Sequence, residues 1–519
     1  MVWRTTWLGT ERREGSTKQA ARPVGEVNAG RSQSPNSTAH GEASRTVETC
    51  IRAKGALGKW GRKVDSDPSD GSIDMNVEAS SVPATAIRDA SAPGCCVQQK
   101  IAPASIWTDA MLAALKSGVK GGKWHSLIDK VYRLETLELG WAQVQKNAGA
   151  AGVDRISVQR FARHRDRYLA ELAQALRDGH YCPMPVRRVY IPKGSGHRPL
   201  GIPAIKDRVV QAALKLVIEP IFEHEFEPRS YGFRPGLGCK DALREVDRYL
   251  KAGHCWVVDA DLQSYFDTIP HAPLLAKVGR RIADGHVLKL VQGFLKQDIM
   301  EGMTRWTPTS GSPQGAVVSP LLANIYLHEL DVEMREAGLV MVRYADDAVV
   351  LCRTREQADA ALTRMRAWVE ANGLKLHPDK THIGDCRIVG NGFEFLGYRF
   401  EAGQRWVRKK SLRALRDKIR DQTQRTCGGS LASVVASLNP ILKGWFGYFQ
   451  HAHHYTFSSI DGFVRRRLRA VLRRRFHRPG QGHCLRDHRR WPNAYFADLG
   501  LFTMAEAHRS ARQPRCGNN

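Results

Sequence analysis

The chain has 519 residues, a formal net charge of +27 at pH 7, a pI near 9.9 and 42% hydrophobic residues. This length corresponds to about three ordinary domains, and the positive charge favours polyanionic partners. No run of about 18 apolar residues occurs, which excludes a membrane-spanning helix. The 11 cysteines include no CxxC pair, so we expect reduced thiols and no zinc or redox motif of that kind.

The first 104 residues are rich in Ser, Gly, Ala and Thr and show little apolar periodicity. This composition predicts a disordered N-terminal extension, with order beginning near residue 105. Residues 125–154 then have a helical pattern that ends in a Gly-rich loop. Between residues 185 and 400, strand-like and helix-like segments alternate, as expected of an α+β core.

An acidic strand is predicted within "HCWVVDADLQSYFDTI", residues 254–269. The alternation of a β-strand places Val257, Asp259 and Asp261 on one face. Carboxylates on an apolar strand are costly to bury unless they bind a cation or another partner. The pattern does not choose between Asp259 and Asp261 as the functional residue.

The segment "MVRYADDAVVLC", residues 341–352, places Asp346 and Asp347 between two short apolar runs, at the tip of a predicted hairpin. An exposed acidic turn is one interpretation, because Asp is a common turn residue. The other is a cluster with the carboxylate of the upstream strand. Three such acids would repel one another, but together they would suit Mg²⁺, and two Mg²⁺ ions support phosphoryl transfer.

The chain becomes basic and helical after residue 405. Residues 405–478 contain 18 Lys or Arg and 3 Asp or Glu. Three helices are predicted in this region. The first spans residues 409–422, the second begins at a cap formed by Asn439 and followed by Pro440, and the third spans residues 458–476. The last of these has two arginine clusters, Arg465, Arg466, Arg467 and Arg473, Arg474, Arg475. A charged face is often only a solvated face, but a whole domain of one sign predicts a nucleic-acid surface.

Over roughly residues 125–505 the chain resembles group II intron-encoded reverse transcriptase–maturases. Ten motifs occur in the order typical of that family, and this collinearity makes the resemblance specific. They are "NAGAAGVD" (147–154), "IPKGSGHRPLGIP" (191–203), "SYGFRPG" (230–236), "DLQSYFD" (261–267), "GSPQGAVVSPLLANIYLHELD" (311–331), "RYADD" (343–347), "GLKLHPDKT" (373–381), "FLGY" (395–398), "LNPILKGWFGYF" (438–449) and "RRWPNAYFADLGLF" (489–502).

The resemblance implies roles for individual residues. Asp261, Asp346 and Asp347 match the catalytic aspartates, and with the backbone carbonyl of Leu262 they would bind two Mg²⁺ ions. Asp259 is then a neighbour without an assigned role. Lys193 and Arg198 match residues that bind the triphosphate of the incoming nucleotide, and Gln314 matches a residue that contacts its sugar. Phe266 matches the aromatic ring that excludes a ribose 2′-hydroxyl. Lys380 matches a proton donor to pyrophosphate, and Gly397 matches a residue of the primer grip.

The resemblance also implies a domain order. We expect reverse transcriptase fingers and palm over 105–400, a helical thumb/maturase domain over 401–480 and a short basic DNA-binding tail over 481–519. An endonuclease domain is not expected, because only Cys484 and Cys516 follow the thumb and neither lies in a CxxC. The "HAHH" of residues 451–454 has no neighbouring carboxylate or cysteine, so we interpret it as basic helix surface rather than a metal site.

The implied function is RNA-directed DNA synthesis combined with binding of the group II intron RNA to assist its splicing and mobility. Implied partners are the intron RNA, an RNA template with a DNA primer, a DNA target and deoxynucleoside triphosphates, with no membrane. The expected location is the bacterial cytoplasm, at the nucleoid when bound to DNA. Alternatives are a non-enzymatic RNA-binding maturase and a related reverse transcriptase used in DNA repair or defence. An RNA-dependent RNA polymerase is disfavoured by Phe266.

Overall fold

The structure is a computed structural model that describes residues 106–512 apart from 194, 195 and 427, and apart from the side chains of Lys120 and Lys193. The predicted N-terminal extension (1–104), the end of the predicted DNA-binding tail with Cys516, and the side chain of Lys193 lie outside the described residues. Within the described part, no helix is both long and apolar enough to cross a membrane.

The N-terminal part of the described chain is helical and packs around one long buried helix. Its helices are α1 (Asp109–Ser117), α2 (Ile128–Val131), α3 (Leu134–Asn147), α4 (Val158–Arg163), α5 (Arg165–Arg177) and α6 (Ile205–Glu223). Most residues of α6 are buried, so α6 behaves as a core helix rather than an amphipathic surface helix. Gly140 of α3 permits close packing, because a Cβ there would lie 2.8 Å from the carbonyl oxygen of Val209 in α6.

The first sheet has the strand order β2-β1-β4-β5. Its strands are β1 (Val186–Lys193), β2 (Gly196–Ile202), β4 (Ile299–Glu301) and β5 (Thr304–Trp306). Strands β1 and β2 form an antiparallel hairpin, whereas β1 and β4 are parallel. This sheet includes the "IPKGSGHRPLGIP" motif, whose two arms are therefore paired strands.

The second sheet forms the centre of the molecule and has the order β6-β7-β3-β8. It consists of β3 (Trp256–Asp261), β6 (Val340–Tyr344), β7 (Asp347–Cys352) and β8 (His382–Asp385). All neighbouring strands in it are antiparallel. Helices α7 (Cys239–Lys251), α11 (Ser319–Glu336) and α12 (Arg355–Ala371) pack against this sheet. Helices α8 (Tyr265–Thr268), α9 (His271–Gly279) and α10 (Gly285–Leu295) follow β3 along the chain. The predicted α+β core is thus observed.

A small three-stranded sheet, in the order β11-β10-β9, connects the central sheet to the C-terminal helices. Its strands are β9 (Phe393–Phe395), β10 (Tyr398–Glu401) and β11 (Gln404–Val407). Phe395 pairs with Tyr398, so Leu396 and Gly397 form a two-residue loop, and both have positive φ angles of 48° and 84°. A two-residue hairpin loop needs this backbone geometry, which Gly adopts readily.

The C-terminal helices are α13 (Lys409–Gln422), α14 (Leu431–Phe449), α15 (Tyr455–Arg475), α16 (Leu485–Arg490), α17 (Asn493–Asp498) and α18 (Met504–Arg512). The helical spacing of Ile460, Phe463, Val464, Leu468, Val471 and Leu472 predicts that they face inward in α15; five of them are buried and Phe463 is partly buried. The spacing of Leu412, Leu415 and Ile419 predicts an apolar stripe on α13; Leu415 and Ile419 are buried and Leu412 is partly buried.

The predicted helix start at Asn439 is wrong. Helix α14 begins at Leu431, with the Ser430 hydroxyl accepting from the Ser433 amide, and continues through Pro440. Proline removes one helical hydrogen bond, but buried side chains lie on both sides of it and keep the helix continuous. The Asn439 side chain contacts the segment after α17 instead: it donates to the Gly500 carbonyl and accepts from the Phe502 amide.

Candidate active site

The carboxylates of the acidic strand and of the hairpin tip meet on one face of the central sheet. Strands β3 and β7 pair antiparallel with Asp261 opposite Asp347 and Asp259 opposite Val349. Because side chains alternate along a strand, Asp259, Asp261 and Asp347 share a face. Asp346 directly precedes Asp347 and lies, with Ala345, in the two-residue loop between β6 and β7. The predicted cluster of acids is therefore brought together by the sheet register.

The electrostatics of the cluster show how closely its members interact. Burial, followed by the charges of Asp259, Asp346 and Asp261, raises the pKa of Asp347 to about 8. Burial is also the main reason that the pKa of Asp259 rises to about 6, with Asp261 adding to the increase. A carboxyl group with such a pKa binds a proton near neutral pH unless a cation compensates its charge.

The loop that carries the aspartate pair has an uncommon backbone. Ala345 has a φ of 60°, which non-glycine residues seldom adopt. The loop lies directly against Gly232 of the "SYGFRPG" motif, where a Cβ would come within 2.1 Å of the Ala345 amide nitrogen. Only glycine permits this approach, so Gly232 fixes the loop from outside.

A buried arginine holds the same loop from inside. The Nη1 atom of Arg343 donates to the Ala345 carbonyl at 2.9 Å and to Oδ1 of Asn324 at 3.0 Å, while Nε donates to Oδ1 of Asp331 at 2.7 Å. Asn324 in turn donates to the Gly232 carbonyl at 2.7 Å. Arg343 is 1% exposed, so its charge depends on these partners.

Sequence reasoning missed this network, which we call the Arg343 network (Arg343, Asn324, Asp331 and the carbonyls of Gly232 and Ala345). Arg343 and Asp331 both lie within motifs that were identified for other residues. The signal that could have found them is a charged residue in an otherwise apolar strand, which predicts a buried partner. That partner is 12 positions upstream in α11, a distance that strand or helix periodicity does not indicate.

Lys380 contacts the acidic cluster directly. Its ammonium donates to Oδ2 of Asp261 at 2.5 Å. The loop that carries Lys380 is anchored to the end of β3, because the His377 amide donates to the Asp261 carbonyl at 2.8 Å. Leu262, the predicted backbone ligand, pairs with Leu376 of the same loop. Among the described residues, no group of three or more His, Cys, Asp or Glu side chains is arranged to hold a metal ion as it stands.

Two of the predicted nucleotide-binding residues contact each other. The Arg198 Nε atom on β2 donates to Oε1 of Gln314 at 2.5 Å, and the Gln314 amide donates to Oδ2 of Asp267 at 3.1 Å. The Gln314 loop packs closely on β2, since a Cβ at Gly315 would lie 2.4 Å from the Gly201 carbonyl oxygen. The structure thus links the first sheet to the segment that follows Asp261.

Phe266 lies in α8, directly after the acidic strand, and is 8% exposed. Its ring contacts Tyr265 at 5.6 Å and Phe233 at 6.3 Å, both edge to face. Phe233 is 45% exposed and has a φ of 61°. Sequence reasoning did not single out Phe233, although it extends the surface of Phe266 towards solvent.

Gly397 lies in the β9–β10 loop and faces the C-terminal helices. A Cβ at Gly397 would lie 3.4 Å from the ring of Phe449 in α14. The same loop is held by Tyr448, whose hydroxyl donates to the Leu396 carbonyl at 2.7 Å. The predicted primer-grip loop is therefore held by α14.

The six predicted nucleic-acid-binding arginines differ in their surroundings. Arg467 donates from Nε to the Thr423 hydroxyl at 3.0 Å and from Nη2 to the Thr423 carbonyl at 2.7 Å, at the end of α13. Arg473 binds both carboxylate oxygens of Asp487, and Arg475 donates to the Gly429 carbonyl. Arg466 lies over the ring of Phe463 at 5.0 Å. The two further members of the set are Arg465, which is half-buried, and Arg474, which is exposed.

The sheet, its paired aspartates and the helical C-terminal region define a reverse transcriptase palm followed by a thumb. Two family models match the chain: "Reverse transcriptase (RNA-dependent DNA polymerase)" over residues 191–400 and "Group II intron, maturase-specific domain" over residues 412–491. The chain belongs to the group II intron reverse transcriptase/maturase family.

Individual relatives agree with this assignment. The chain is 36% identical over 309 residues to Protein YkfC of Escherichia coli, covering 51% of this chain and 78% of that protein. It is 42% identical over 165 residues to the group II intron-encoded protein LtrA of Lactococcus lactis, covering 31% of this chain and 27% of LtrA. The match therefore spans about a quarter of LtrA.

Matches to solved structures are weaker. A chain of the partial Cas6-RT-Cas1–Cas2 complex matches with a TM-score of 0.32 at 22% identity, covering 47% of this chain and 42% of that one. A chain of the telomerase structure from Candida albicans matches with a TM-score of 0.34 at 11% identity, and the match covers 61% of this chain and 64% of that one.

Proposed function

We propose that the protein is an RNA-directed DNA polymerase that also binds the RNA of its group II intron and assists its splicing and mobility. The observation that supports the polymerase activity best is the register of β3 and β7, which pairs Asp261 with Asp347 beside Asp346. The maturase-specific match over residues 412–491 supports the splicing role.

The acidic cluster fits the divalent metal ions that reverse transcriptases use. Burial and the neighbouring carboxylates raise the pKa of Asp347 to about 8, so an ion of double positive charge would relieve an unfavourable arrangement. Carboxylate and carbonyl oxygens are the ligands that Mg²⁺ prefers. Asp261, Asp346, Asp347 and the Leu262 carbonyl would hold two Mg²⁺ ions, which when bound would activate the primer 3′-hydroxyl and neutralise the leaving pyrophosphate.

The other residues of the site would orient the nucleotide and handle its charge. Arg198, with its planar guanidinium, and Lys193 would bind the triphosphate oxygens. Gln314 would contact the sugar, and its present contact with Arg198 keeps the two residues adjacent. Phe266 would exclude a ribose 2′-hydroxyl, which favours deoxynucleotides.

Lys380 is placed to manage protons and charge at the same site. Its ammonium neutralises Asp261 in the absence of metal, at a distance of 2.5 Å. In the proposed reaction, Lys380 would donate a proton to the departing pyrophosphate. A lysine on a flexible side chain suits this role.

Primer extension on an RNA template tests the proposal. Asp261→Asn, Asp346→Asn and Asp347→Asn should each reduce DNA synthesis at least about a hundredfold, because each change weakens the electrostatic stabilisation of the transferring phosphate. Asp359→Asn on the exposed face of α12 is a matched control of the same chemistry. Near-normal synthesis by the three site variants would overturn the assignment of these carboxylates, whereas failure of the wild type to extend any primer would favour the non-enzymatic maturase.

A further inference from the structure

Four aromatic side chains of the C-terminal region form a row of contacting rings, which we call the ring row: Trp406, His453, His454 and Tyr455. Neighbouring ring centres are 4.3 Å apart for Trp406 and His453, 4.4 Å for His453 and His454, and 4.2 Å for His454 and Tyr455. The interplanar angles of these contacts are 32–36°. The centres of His453 and Tyr455 are also only 5.1 Å apart, so the ring row is a compact cluster of tilted rings that extends from Trp406 to Tyr455.

The ring row is fixed at its inner end and open at its outer end. The His453 amide donates to the Arg405 carbonyl at 2.7 Å, which ties the turn between α14 and α15 to β11. Trp406 and His453 are half-buried, His454 is exposed, and Tyr455 is 65% exposed. Tyr455 is thus a large aromatic side chain on the solvent-exposed side of this cluster, where its exposed surface is available to a further ring.

The charges around the ring row are positive. Arg512 and His508 of α18 lie near His453 and His454. Burial lowers the pKa of both His453 and His508, and the charge of Arg512 lowers it further. On the other side, burial lowers the pKa of His451, and the charges of Arg405 and Lys240 lower it further. The carboxylate on that side, Asp247, is paired with Arg405 at 2.6 Å. Among the described residues, Arg512 and Lys240 form no ion pair, so the surface combines aromatic rings with these two cations, whereas Arg405 is neutralised by Asp247.

We propose that the ring row is a stacking platform for an unpaired base of single-stranded RNA. The proposal rests on the function proposed above, since it requires a protein that handles RNA. Base stacking on protein rings needs a flat, exposed π surface flanked by cations that contact the phosphates. Bases in a duplex are already stacked on each other, so only an unpaired base can occupy the outer face of Tyr455.

Two sources of single-stranded RNA share this chemistry: the unpaired template ahead of the polymerase and a loop of the intron RNA. A protein partner is the competing occupant, because exposed rings also occur at protein interfaces. The positive surroundings favour RNA over an ordinary protein surface, and stacking on rings is tolerant of base identity. The contact should therefore add affinity without strong sequence preference.

The test uses the full-length protein and a single-stranded RNA of about 12 nucleotides, which lies within the usual site size, with one 2-aminopurine. His454→Ala combined with Tyr455→Ala removes the outer rings, Tyr455→Phe keeps the ring, and Val389→Ala removes an exposed apolar side chain elsewhere. Binding is measured at several salt concentrations, and thermal unfolding checks that each variant is folded.

The double variant should bind the RNA about tenfold more weakly and show no 2-aminopurine fluorescence change, because one stacked base contributes about this much. Its dependence on salt should match the wild type, since no phosphate contact is removed. Tyr455→Phe and Val389→Ala should bind like the wild type. Equal binding by the double variant would overturn the proposal and favour a protein occupant. A weakening explained entirely by a flatter salt dependence would also overturn it, because the lost contact would then be with a phosphate and not with a stacked base.

Two further measurements identify the source of the RNA. Primer extension is compared on templates with short and long single-stranded overhangs, and binding is compared for a transcript of the intron around the reading frame. A defect of the double variant on long overhangs assigns the platform to the template, and a defect on the transcript assigns it to the intron. Absence of both defects overturns the proposal. Failure of the wild type to extend any primer rejects the polymerase proposal but leaves the RNA-binding result intact.

Discussion

The Lys380 ammonium lies 2.5 Å from Oδ2 of Asp261, the carboxylate that faces Asp347 across the central sheet. The positive charge of the ammonium offsets part of the repulsion within the acidic cluster. Both side chains are partly exposed, at 55% for Lys380 and 31% for Asp261. The pair can therefore exchange partners without disturbing the core.

Lys380→Met should reduce primer extension by about a hundredfold, within the usual range for loss of a general acid. Lys380→Arg should recover only part of the rate, because a guanidinium keeps the charge but does not release a proton. The measurement is the single-turnover rate of extension for each variant. A rate of Lys380→Met close to that of the wild type would limit the residue to a structural role.

The raised pKa of Asp347 makes the stability of the metal-free protein depend on pH. The pKa is about 8 in the folded chain and near 3.8 in an unfolded one, so the folded state binds more protons between these values. The contribution of Asp347 to the free energy of unfolding is therefore fully present at low pH and is lost as the pH rises from about 4 to 8. Asp347→Asn removes this dependence.

Thermal unfolding without divalent ions should show that Asp347→Asn is more stable than the wild type at pH 8, by an amount on the order of 1 kcal/mol after discounting for solvent screening. At pH 5 the difference should shrink. Addition of Mg²⁺ at pH 8 should raise the melting temperature of the wild type more than that of the variant. Equal responses to Mg²⁺ would place the ion elsewhere.

The Arg343 network predicts a defect that does not involve any contact with substrate. Arg343→Lys keeps the charge but cannot serve Asp331, Asn324 and the Ala345 carbonyl together. We expect a loss of about 2–4 kcal/mol in stability, since one charge of a buried pair is left poorly satisfied. We also expect a lower kcat for extension with little change in the KM of the nucleotide, because the aspartate loop loses its support.

A double-mutant cycle distinguishes a loop effect from general destabilisation. Asp331→Asn should couple with Arg343→Lys, so the combined loss of stability should be smaller than the sum of the separate losses. A matched control is Lys277→Arg, which alters another buried cation paired with Glu329 on the side of α11 away from the loop. Equal reductions of kcat in the control would show that the effect is not specific to the aspartate loop.

The acidic cluster could be predicted from sequence because strand alternation and hairpin tips are local patterns. Asp261, Asp346 and Asp347 each follow from a few neighbouring residues, and the resemblance to the family selected Asp261 over Asp259. The contacts of Lys380 and Arg343 could not be derived from such patterns, because their partners lie 119 and 12 positions away and meet only through the sheet and α11.

The helical region shows the same division between local and tertiary effects. The buried face of α15 follows from its periodicity, and this prediction is confirmed. The start of α14 does not follow from Asn439 and Pro440, because burial of the helix before Pro440 outweighs the local preference for a break. Asn439 matches a capping residue in type, but its side chain binds the segment after α17.

Phe266 should control the choice between deoxyribonucleotides and ribonucleotides. Phe266→Ala should improve the relative use of ribonucleotides roughly 10–200-fold, the usual range for filling or emptying a small volume in a pocket. Phe233→Ala removes the neighbouring ring, which contacts Phe266 at 6.3 Å, and should have a smaller effect of the same sign. The measurement is kcat/KM for each nucleotide type. An unchanged ratio in Phe266→Ala would assign this ring to core packing.

RNA binding should depend on those arginines whose guanidinium groups form no hydrogen bond or ion pair among the described residues. Arg466 and Arg474 are the candidates for binding phosphates, whereas Arg473 holds Asp487 through both carboxylate oxygens. The double variant Arg466→Gln with Arg474→Gln should weaken intron RNA binding and lower the log–log salt slope by about 0.7–0.9 for each phosphate that is no longer neutralised. Arg473→Gln should instead lower the melting temperature, because Asp487 is left buried and unpaired.

The polymerase site and the RNA surface should then prove separable. Asp346→Asn with Asp347→Asn should abolish DNA synthesis but preserve intron RNA binding and splicing, since no phosphate-binding side chain is altered. The Arg466 and Arg474 double variant should impair splicing, yet extend a short primer on a generic template at a rate close to that of the wild type. Both activities are measured for both variants. Loss of splicing in the aspartate variant as severe as in the arginine variant would show that the two surfaces act as one.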